Sequence, residues 1–367
     1  MRFDCPRKEL SDAVNMALSA SSTRTSLPIY QSLKVEATDA EVRVLGCDGE
    51  LWIERRFAAM VSEPGAVCLQ AKTLGDIVHS LSDGAIELKT LEGNGALLTQ
   101  SGSEYRLQTL DAGDFPEPPS FGGDGELTIP MGSLRGAIDS VSYAVSTDPH
   151  RGPITGVLFN YNGTKLQLVA TDAHRLAVRE LEQPGSGGAL SAVVPEKALR
   201  AIKAVPLTDD QNAVLRFGNG RLGIEAAGAR VVSNLLSGTF PNWERVVPTE
   251  STRKWSVEVD QLNEKVKRAM ILARDNANRI RFKGDGDQIL ISARSEEKGE
   301  AKEEVPMVAE DGNVEIAFNG KYVQDALSAI PTDGVEIEMT ESTRPAVFRP
   351  AEKGEGYFCV IMPMQLS

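Results

Sequence analysis

The chain has 367 residues, 41% of them hydrophobic and 25% charged, with 52 acidic against 39 basic side chains and a net charge of −13. That length predicts two or three globular domains; no apolar run nears the ~20 residues that span a bilayer, and MRFDCPRKEL lacks the apolar centre of a signal peptide, so a cytoplasmic location is expected. The acidic balance excludes overall attraction to nucleic acid but not a local basic face, 5% aromatics argue against base stacking on single strands, and Cys5, Cys47, Cys68, Cys359 and three histidines show no zinc spacing, so buried reduced thiols and no metal or cofactor are expected.

In chain order, one pattern of helix, hairpin, helix, hairpin occurs three times with a period of about 124 residues, the size of a domain. The first helix of each copy carries one apolar stripe: Leu10, Ala13, Val14, Ala17 and Leu18; then Leu134, Ala137, Ile138, Val141 and Val145; then Leu262, Val266, Ala269, Met270 and Ala273. Such a stripe lets a helix lie on a sheet with its other face in water. The hairpins that follow, KVEATDAEVRVLGC, VLFNYNGTKLQLVA and RIRFKGDGDQILIS, place their turns at Thr38-Asp39, Asn162-Gly163 and Asp285-Gly286. Alternation on both sides predicts antiparallel strands with one buried face.

The second helices, KTLGDIVHSL, EKALRAIKAV and GKYVQDALSAI, have a lysine at one repeat position: Lys72, Lys197 and Lys321. Closing hairpins follow, and each copy ends on a related run, LDAGDFPE, LSGTFPNW or CVIMPMQL. The join PEPPSFGGDGE is loop-rich, VVPTESTRK is shorter and polar, and the acidic RSEEKGEAKEEV at 294–305 is expected to be an exposed loop leading into a strand. The copies are predicted at 1–120, 126–247 and 254–367.

The predicted helices hold twelve basic and eight acidic residues, a net +4, which leaves −17 on strands and loops. A lysine at a helix N-terminus opposes the macrodipole at a cost of about 0.3–1 kcal/mol. Its threefold recurrence suggests a use such as facing phosphate, although ion-free solvation or shared descent would also place it there. Helices on one side of a continuous sheet would give a basic inner layer and an acidic outer one. Closing such a sheet, and so hiding its edges, requires more than one chain.

The stretch Thr171-Asp172-Ala173-His174-Arg175 looks like a catalytic cluster, and a hydrolase using Asp172 and His174 is the alternative function. No GxSxG or Walker A run accompanies it, and the cysteines lie in unrelated contexts. A structural or binding role therefore outweighs catalysis. The final Cys359–Leu366 run is apolar, which suits a strand for Cys359–Ile361 and one wall of an adaptable docking groove for Met362–Leu366.

Arg24 with Leu27-Pro28-Ile29, the run Val169–Val178 (VATDAHRLAV), Phe240-Pro241 with Arg245-Val246, and Met362-Pro363-Met364 together resemble the bacterial DNA polymerase III beta subunit family, the sliding clamps, over the whole chain. The resemblance implies an α+β fold of three clamp domains, helices on one face of antiparallel sheets, closing into a ring as a head-to-tail homodimer. It implies no reaction of its own, but a processivity factor that encircles double-stranded DNA without regard to sequence.

It further implies docking of polymerase, clamp loader and repair proteins, through short peptides, in a pocket between the second and third domains. That pocket would be formed by Arg151, Ile154, Thr171, His174, Arg175, Leu176, Pro241, Arg245, Val246, Asn319, Tyr322, Val360, Met362, Pro363 and Met364. Arg24, Lys72 and Lys197 would face DNA, with Lys321 added by the internal repeat, and Tyr105 and Leu107 would meet Ile271 and Leu272 across the dimer contact. This chain departs from the family pattern at Ala173, Gly152-Pro153, Trp243-Glu244, Gln365 and Ser367.

Overall fold

The computed structural model describes residues 1–22, 25–183, 188–311, 313–352, 354 and 356–366. Among them are six α-helices: α1 (Arg7–Leu18), α2 (Ala71–Ser80), α3 (Met131–Ser142), α4 (Glu196–Lys203), α5 (Val259–Ala273) and α6 (Gly320–Ser328). They correspond to the predicted helices, and their apolar stripes are the buried ones. Leu10, Ala13, Val14 and Ala17 of α1 are inaccessible, as are Leu262, Val266, Ala269 and Ala273 of α5. Each large aliphatic side chain so buried contributes roughly 1.5–3 kcal/mol relative to exposure.

The repeat is finer than the sequence suggests. Every helix is preceded by a strand and followed by a three-stranded antiparallel meander, so each copy holds two strand–helix–meander modules. The preceding strands (Arg2–Pro6, Gly65–Gln70, Gly125–Pro130, Leu190–Pro195, Arg253–Glu258 and Glu315–Asn319) run straight into the helices with no turn between. Proline ends three of them; it suits an extended residue before a helix, since it has no N–H to leave unpaired. The hairpin turns centre one residue later than predicted. Asp39-Ala40, Gly163-Thr164 and Gly286-Asp287 lie between paired Thr38/Glu41, Tyr161/Leu166 and Asp285/Gln288, with Asn162 accepting from the Lys165 amide at 2.8 Å. Gly163 has φ 100° and Gly286 φ 64°, which glycine adopts without strain. The acidic stretch at 294–305 has less loop than expected: an exposed turn at 296–298 leads from the end of the strand Gln288–Ser295 into its partner Gly299–Pro306, which takes up the rest of the stretch. Alternation hides this, because Val305 is buried while Glu300, Lys302 and Glu304 point to water.

By contact density the chain divides into two compact units, one mainly Met1–Leu134 with Lys197–Leu235, the other mainly 135–183, Ala189–Glu196 and 236–366. A 13-stranded sheet lies in the first unit; sheets of nine and four strands lie in the second. In both units a sheet crosses from one copy to the next by the same rule. The last strand of one copy's first meander pairs with the last strand of the next copy's second meander. In the first unit these are Leu51–Ala58 and Ala229–Asn234; in the second, Arg175–Glu182 and Tyr357–Ile361. Two strands of these types are left over. Gly299–Pro306 pairs on one side only, and Ser103–Leu110 touches Gly65–Gln70 only through Leu110 and Thr109.

In the first unit the join after the first copy is part of the packing. Glu117 accepts from Lys34 Nζ at 2.6 Å and Arg43 Nη2 at 2.7 Å. Burial works against the charge on Arg43, but Glu117, Glu54 and Glu36 outweigh it and raise its pKa. The Phe121 ring packs with Trp52, Cys47, Cys68 and Phe115, under the Arg230 guanidinium at 5.3 Å. Gly223 makes room for it, since a Cβ there would sit 2.2 Å from the ring. The expectation of one buried sheet face therefore fails here, where both faces are covered. Phe121→Ala is expected to lower unfolding stability by about 2–4 kcal/mol in denaturant titration, whereas a loosely attached linker would give no change.

Candidate functional site

The second unit carries the residues singled out around 171–175. Thr171 Oγ1 accepts from the Ala173 amide at 3.1 Å and donates to the Arg175 carbonyl at 2.7 Å. Asp172 Oδ1 accepts from the amides of His174 (2.9 Å) and Arg175 (3.0 Å), while its Oδ2 accepts from Arg175 Nε at 3.0 Å. The carboxylate is thus committed to making the turn and holding Arg175. The His174 ring instead lies along Tyr322, with centroids 6.5 Å apart. Ala173 sits at φ 76°, a left-handed conformation that glycine takes freely and alanine does not. Ala173→Gly is therefore expected to stabilise the protein by about 0.5–1 kcal/mol, the relief of strain exceeding the added freedom of the unfolded chain; a lowered melting temperature would contradict this.

Arg175 is the hub of the cluster. Its side chain is only 9% exposed, and Nη1 donates to Asp325 Oδ2 at 2.6 Å while Nη2 reaches the Tyr143 carbonyl. The guanidinium also lies 4.3 Å from the Tyr322 ring centroid and 5.1 Å from that of Tyr143. Burial disfavours the cation, yet Asp325 and Asp172 more than compensate and its pKa is raised. A buried cation with two carboxylates and two rings is fixed in place, which suits a wall better than a proton-transfer group.

Beside it lies an apolar cavity of about 240 Å³ lined by Ile154, Thr171, Ala173, Arg175, Leu176, Pro241, Asn242, Trp243, Val246, Val360 and Met362. Strand pairing sets Leu176 opposite Val360. The short 3-10 turns Pro149–Thr155 and Trp243–Val246 bring in Ile154 and Val246. The chain's end is fastened across one side: the Met362 amide donates to the His174 carbonyl at 2.9 Å and the Met364 amide to the Ala317 carbonyl at 2.7 Å. Arg279 Nη1 and Arg281 Nη2 donate to the carbonyls of Gln365 and Leu366. Val246 and Met362 remain 50% and 42% exposed, so this apolar lining is open to a ligand.

Eight of the expected pocket residues line the cavity: Ile154, Thr171, Arg175, Leu176, Pro241, Val246, Val360 and Met362. Others stand nearby in different roles. Arg151 Nη1 braces the Asp172 carbonyl at 2.9 Å, Asn319 caps α6 through the Lys321 amide at 3.0 Å, and Tyr322 backs Arg175. Arg245 is exposed on the Trp243–Val246 turn, and Pro363 and Met364 follow Met362 in the fastened tail. Ala173, Asn242 and Trp243 were not anticipated as lining, nor were Tyr143 and Asp325 as partners of Arg175. Asp325 had a visible signal, since it follows Lys321 by four residues just as Asp76 follows Lys72.

The three lysines occupy the second position of α2, α4 and α6, as the repeat requires, but they are not alike. Lys72 pairs with Asp76 at 2.8 Å and Lys321 with Asp325 at 2.5 Å, both on their own helix turn. This local pairing offsets part of the dipole cost and gives the recurrence an explanation besides phosphate. Lys197 lacks an acid at that spacing and is held by Asp48 at 2.7 Å and Glu50 at 3.1 Å. Burial opposes its charge, but these two carboxylates prevail and raise its pKa. Arg24 lies outside the described residues. Tyr105 and Leu107 are half-buried on the open strand Ser103–Leu110; on α5, Ile271 is 60% exposed and Leu272 half-buried.

All four cysteines are buried free thiols, pushed up by desolvation to about 12 for Cys5, Cys68 and Cys359 and about 11 for Cys47. No cluster of metal-binding side chains occurs among the described residues, and no helix among them is long and apolar enough to cross a membrane.

Comparison with known proteins agrees with this architecture over the full chain. The N-terminal, central and C-terminal domain families of the DNA polymerase III beta subunit match residues 1–119, 128–242 and 244–365. The beta sliding clamp of Staphylococcus aureus is 31% identical over 360 residues, covering 95% of this chain and 96% of the relative. That of Staphylococcus epidermidis is 31% identical over 362 residues, 96% of each. Among solved structures, the DNA polymerase sliding clamp from Bacillus subtilis aligns with a TM-score of 0.93 at 26% identity, and the DNA polymerase III subunit beta from Pseudomonas aeruginosa with 0.90 at 29%, each over 100% of both chains. With three domain families in order, relatives matched end to end and the same three-copy α+β fold, the chain belongs to the DNA polymerase III beta subunit family, the non-catalytic beta sliding clamps.

Proposed function

We propose that two copies of this chain close head to tail into a ring around duplex DNA and tether the replicative polymerase by topology, while partner peptides dock in the Leu176–Met362 cavity. The observation that carries this is the strand-pairing rule. Copies join through one strand type from each, and one chain leaves one strand of each type open, Ser103–Leu110 along all but its last two residues and Gly299–Pro306 along its whole length. Antiparallel pairing of each with the other type on a partner would extend the same rule and remove both exposed edges. Tyr105 and Leu107 would then meet Ile271 and Leu272 of the partner, and the three copies would act as domains 1–120, 126–247 and 254–367.

A ring that slides needs phosphate contacts that are weak and independent of sequence. Lys72 and Lys321 are exposed and suited to this, with Arg24 the remaining candidate; Lys197 must leave Asp48 and Glu50 to take part. The cavity would take apolar anchors of a short peptide, and Arg151, Arg245, Asn319, Pro363 and Met364 would border it. We place the protein in the cytoplasm, with the replication machinery.

Native mass measurement should give twice the chain mass at micromolar concentration. Protein loaded by the clamp loader onto nicked circular DNA should stay bound until the circle is linearised. A monomer, or equal retention on circular and linear DNA, would refute the ring.

A further inference from the structure

We propose that Asp325 is a positioning residue through which polyanion contact at Lys321 adjusts the peptide cavity. The two oxygens of this carboxylate serve two cations. Oδ2 accepts from Arg175 Nη1 at 2.6 Å, inside the cavity wall, while Oδ1 accepts from Lys321 Nζ at 2.5 Å, on the exposed turn of α6. The exposures grade from 9% for Arg175 through 16% for Asp325 to 59% for Lys321, so the carboxylate is the point where a solvated cation meets a desolvated one. Tyr322, next to Lys321 on α6, lies against both the Arg175 guanidinium and the His174 ring. The same chain contains a control. Lys72 and Asp76 repeat the spacing on α2, but Asp76 is 68% exposed and among the described residues holds no second cation.

A phosphate that draws Lys321 away leaves the full charge of Asp325 to Arg175, and a charge-assisted hydrogen bond strengthens when a competing cation departs. Arg175 then fixes the 171–175 turn and Tyr322 more firmly, and a more rigid cavity binds its peptide with less ordering cost. By linkage, a bound peptide must strengthen polyanion contact by the same factor. The inference rests on the peptide cavity and the DNA-facing lysines proposed above.

The test uses the intact dimer and a fluorescein-labelled peptide copied from the C-terminus of the replicative polymerase, titrated with and without a short duplex DNA. Asp325→Asn should weaken peptide binding roughly tenfold, one charged hydrogen bond's worth, and Asp325→Glu should recover most of it. Because Lys321 is well exposed, its effect is smaller. Duplex should tighten peptide binding by the wild type about two- to fourfold, and Lys321→Gln should show that tightening without DNA and no further response. Lys72→Gln should weaken duplex binding yet keep the peptide response. Unchanged peptide affinity in Asp325→Asn, or a full duplex response in Lys321→Gln, would overturn the proposal. Failure of the wild type to bind the peptide at all would instead overturn the peptide cavity itself, and the coupling with it.

Discussion

Deleting residues 362–367 is expected to weaken binding of a polymerase C-terminal peptide by about 100-fold, the loss of one or two anchoring contacts worth ~1.4 kcal/mol per factor of ten. Met362 lines the cavity directly, and the Met362 and Met364 amides fasten the tail to His174 and Ala317. The cut falls after Ile361, so the paired strand Tyr357–Ile361 and its buried Cys359, Val360 and Ile361 remain. Fluorescence anisotropy should therefore show lost peptide binding while native mass still shows a dimer. A dimer lost together with the peptide would mean that the tail serves assembly; an unchanged peptide affinity would remove it from the docking site.

Replacing Leu107 and Ile271 together by aspartate is expected to convert the dimer to monomers, with a dissociation constant raised at least about 1,000-fold. The basis is the cost, several kcal/mol, of an unpaired charge at a desolvated contact. Each chain should stay folded at some cost in stability, because Ile271 is 60% exposed in the single chain while Leu107 is half-buried at the margin of the first core. Sedimentation at graded concentrations decides the matter. A variant that stays dimeric at nanomolar concentration would show that these edges are not the contact.

Much of the fold is legible in the sequence. The stripes on α1, α3 and α5 were readable because a helix on a sheet must hide one face and wet the other. The run from Thr171 to Arg175 drew attention because its residue types are reactive, and only geometry separates its roles: Asp172 shapes a turn, and Arg175 binds two carboxylates. What stayed hidden has physical causes. Strands such as Arg2–Pro6 run into their helices without turn residues, so no local signal marks them. The strand Gly299–Pro306 is an open edge whose outward Glu and Lys keep it in water, and such composition reads as loop. Long-range partners, Lys197 with Asp48 and Arg175 with Tyr143, depend on tertiary approach that spacing cannot encode. Phe121 reads as part of a linker because glycine and proline surround it, although Gly223 leaves the space its ring occupies.

The four desolvated thiols have a practical consequence. With pKa values near 11 to 12, Cys5, Cys47, Cys68 and Cys359 hold almost no thiolate at neutral pH, and thiolate is the form that alkylating and maleimide reagents attack. A cysteine introduced on an exposed edge would then be the reactive one in the native fold. A pair placed on Ser103–Leu110 and Gly299–Pro306 could be bridged by a short cross-linker in the otherwise unaltered sequence, turning a dissociable ring into a covalently locked one whose residence on circular DNA can be timed directly.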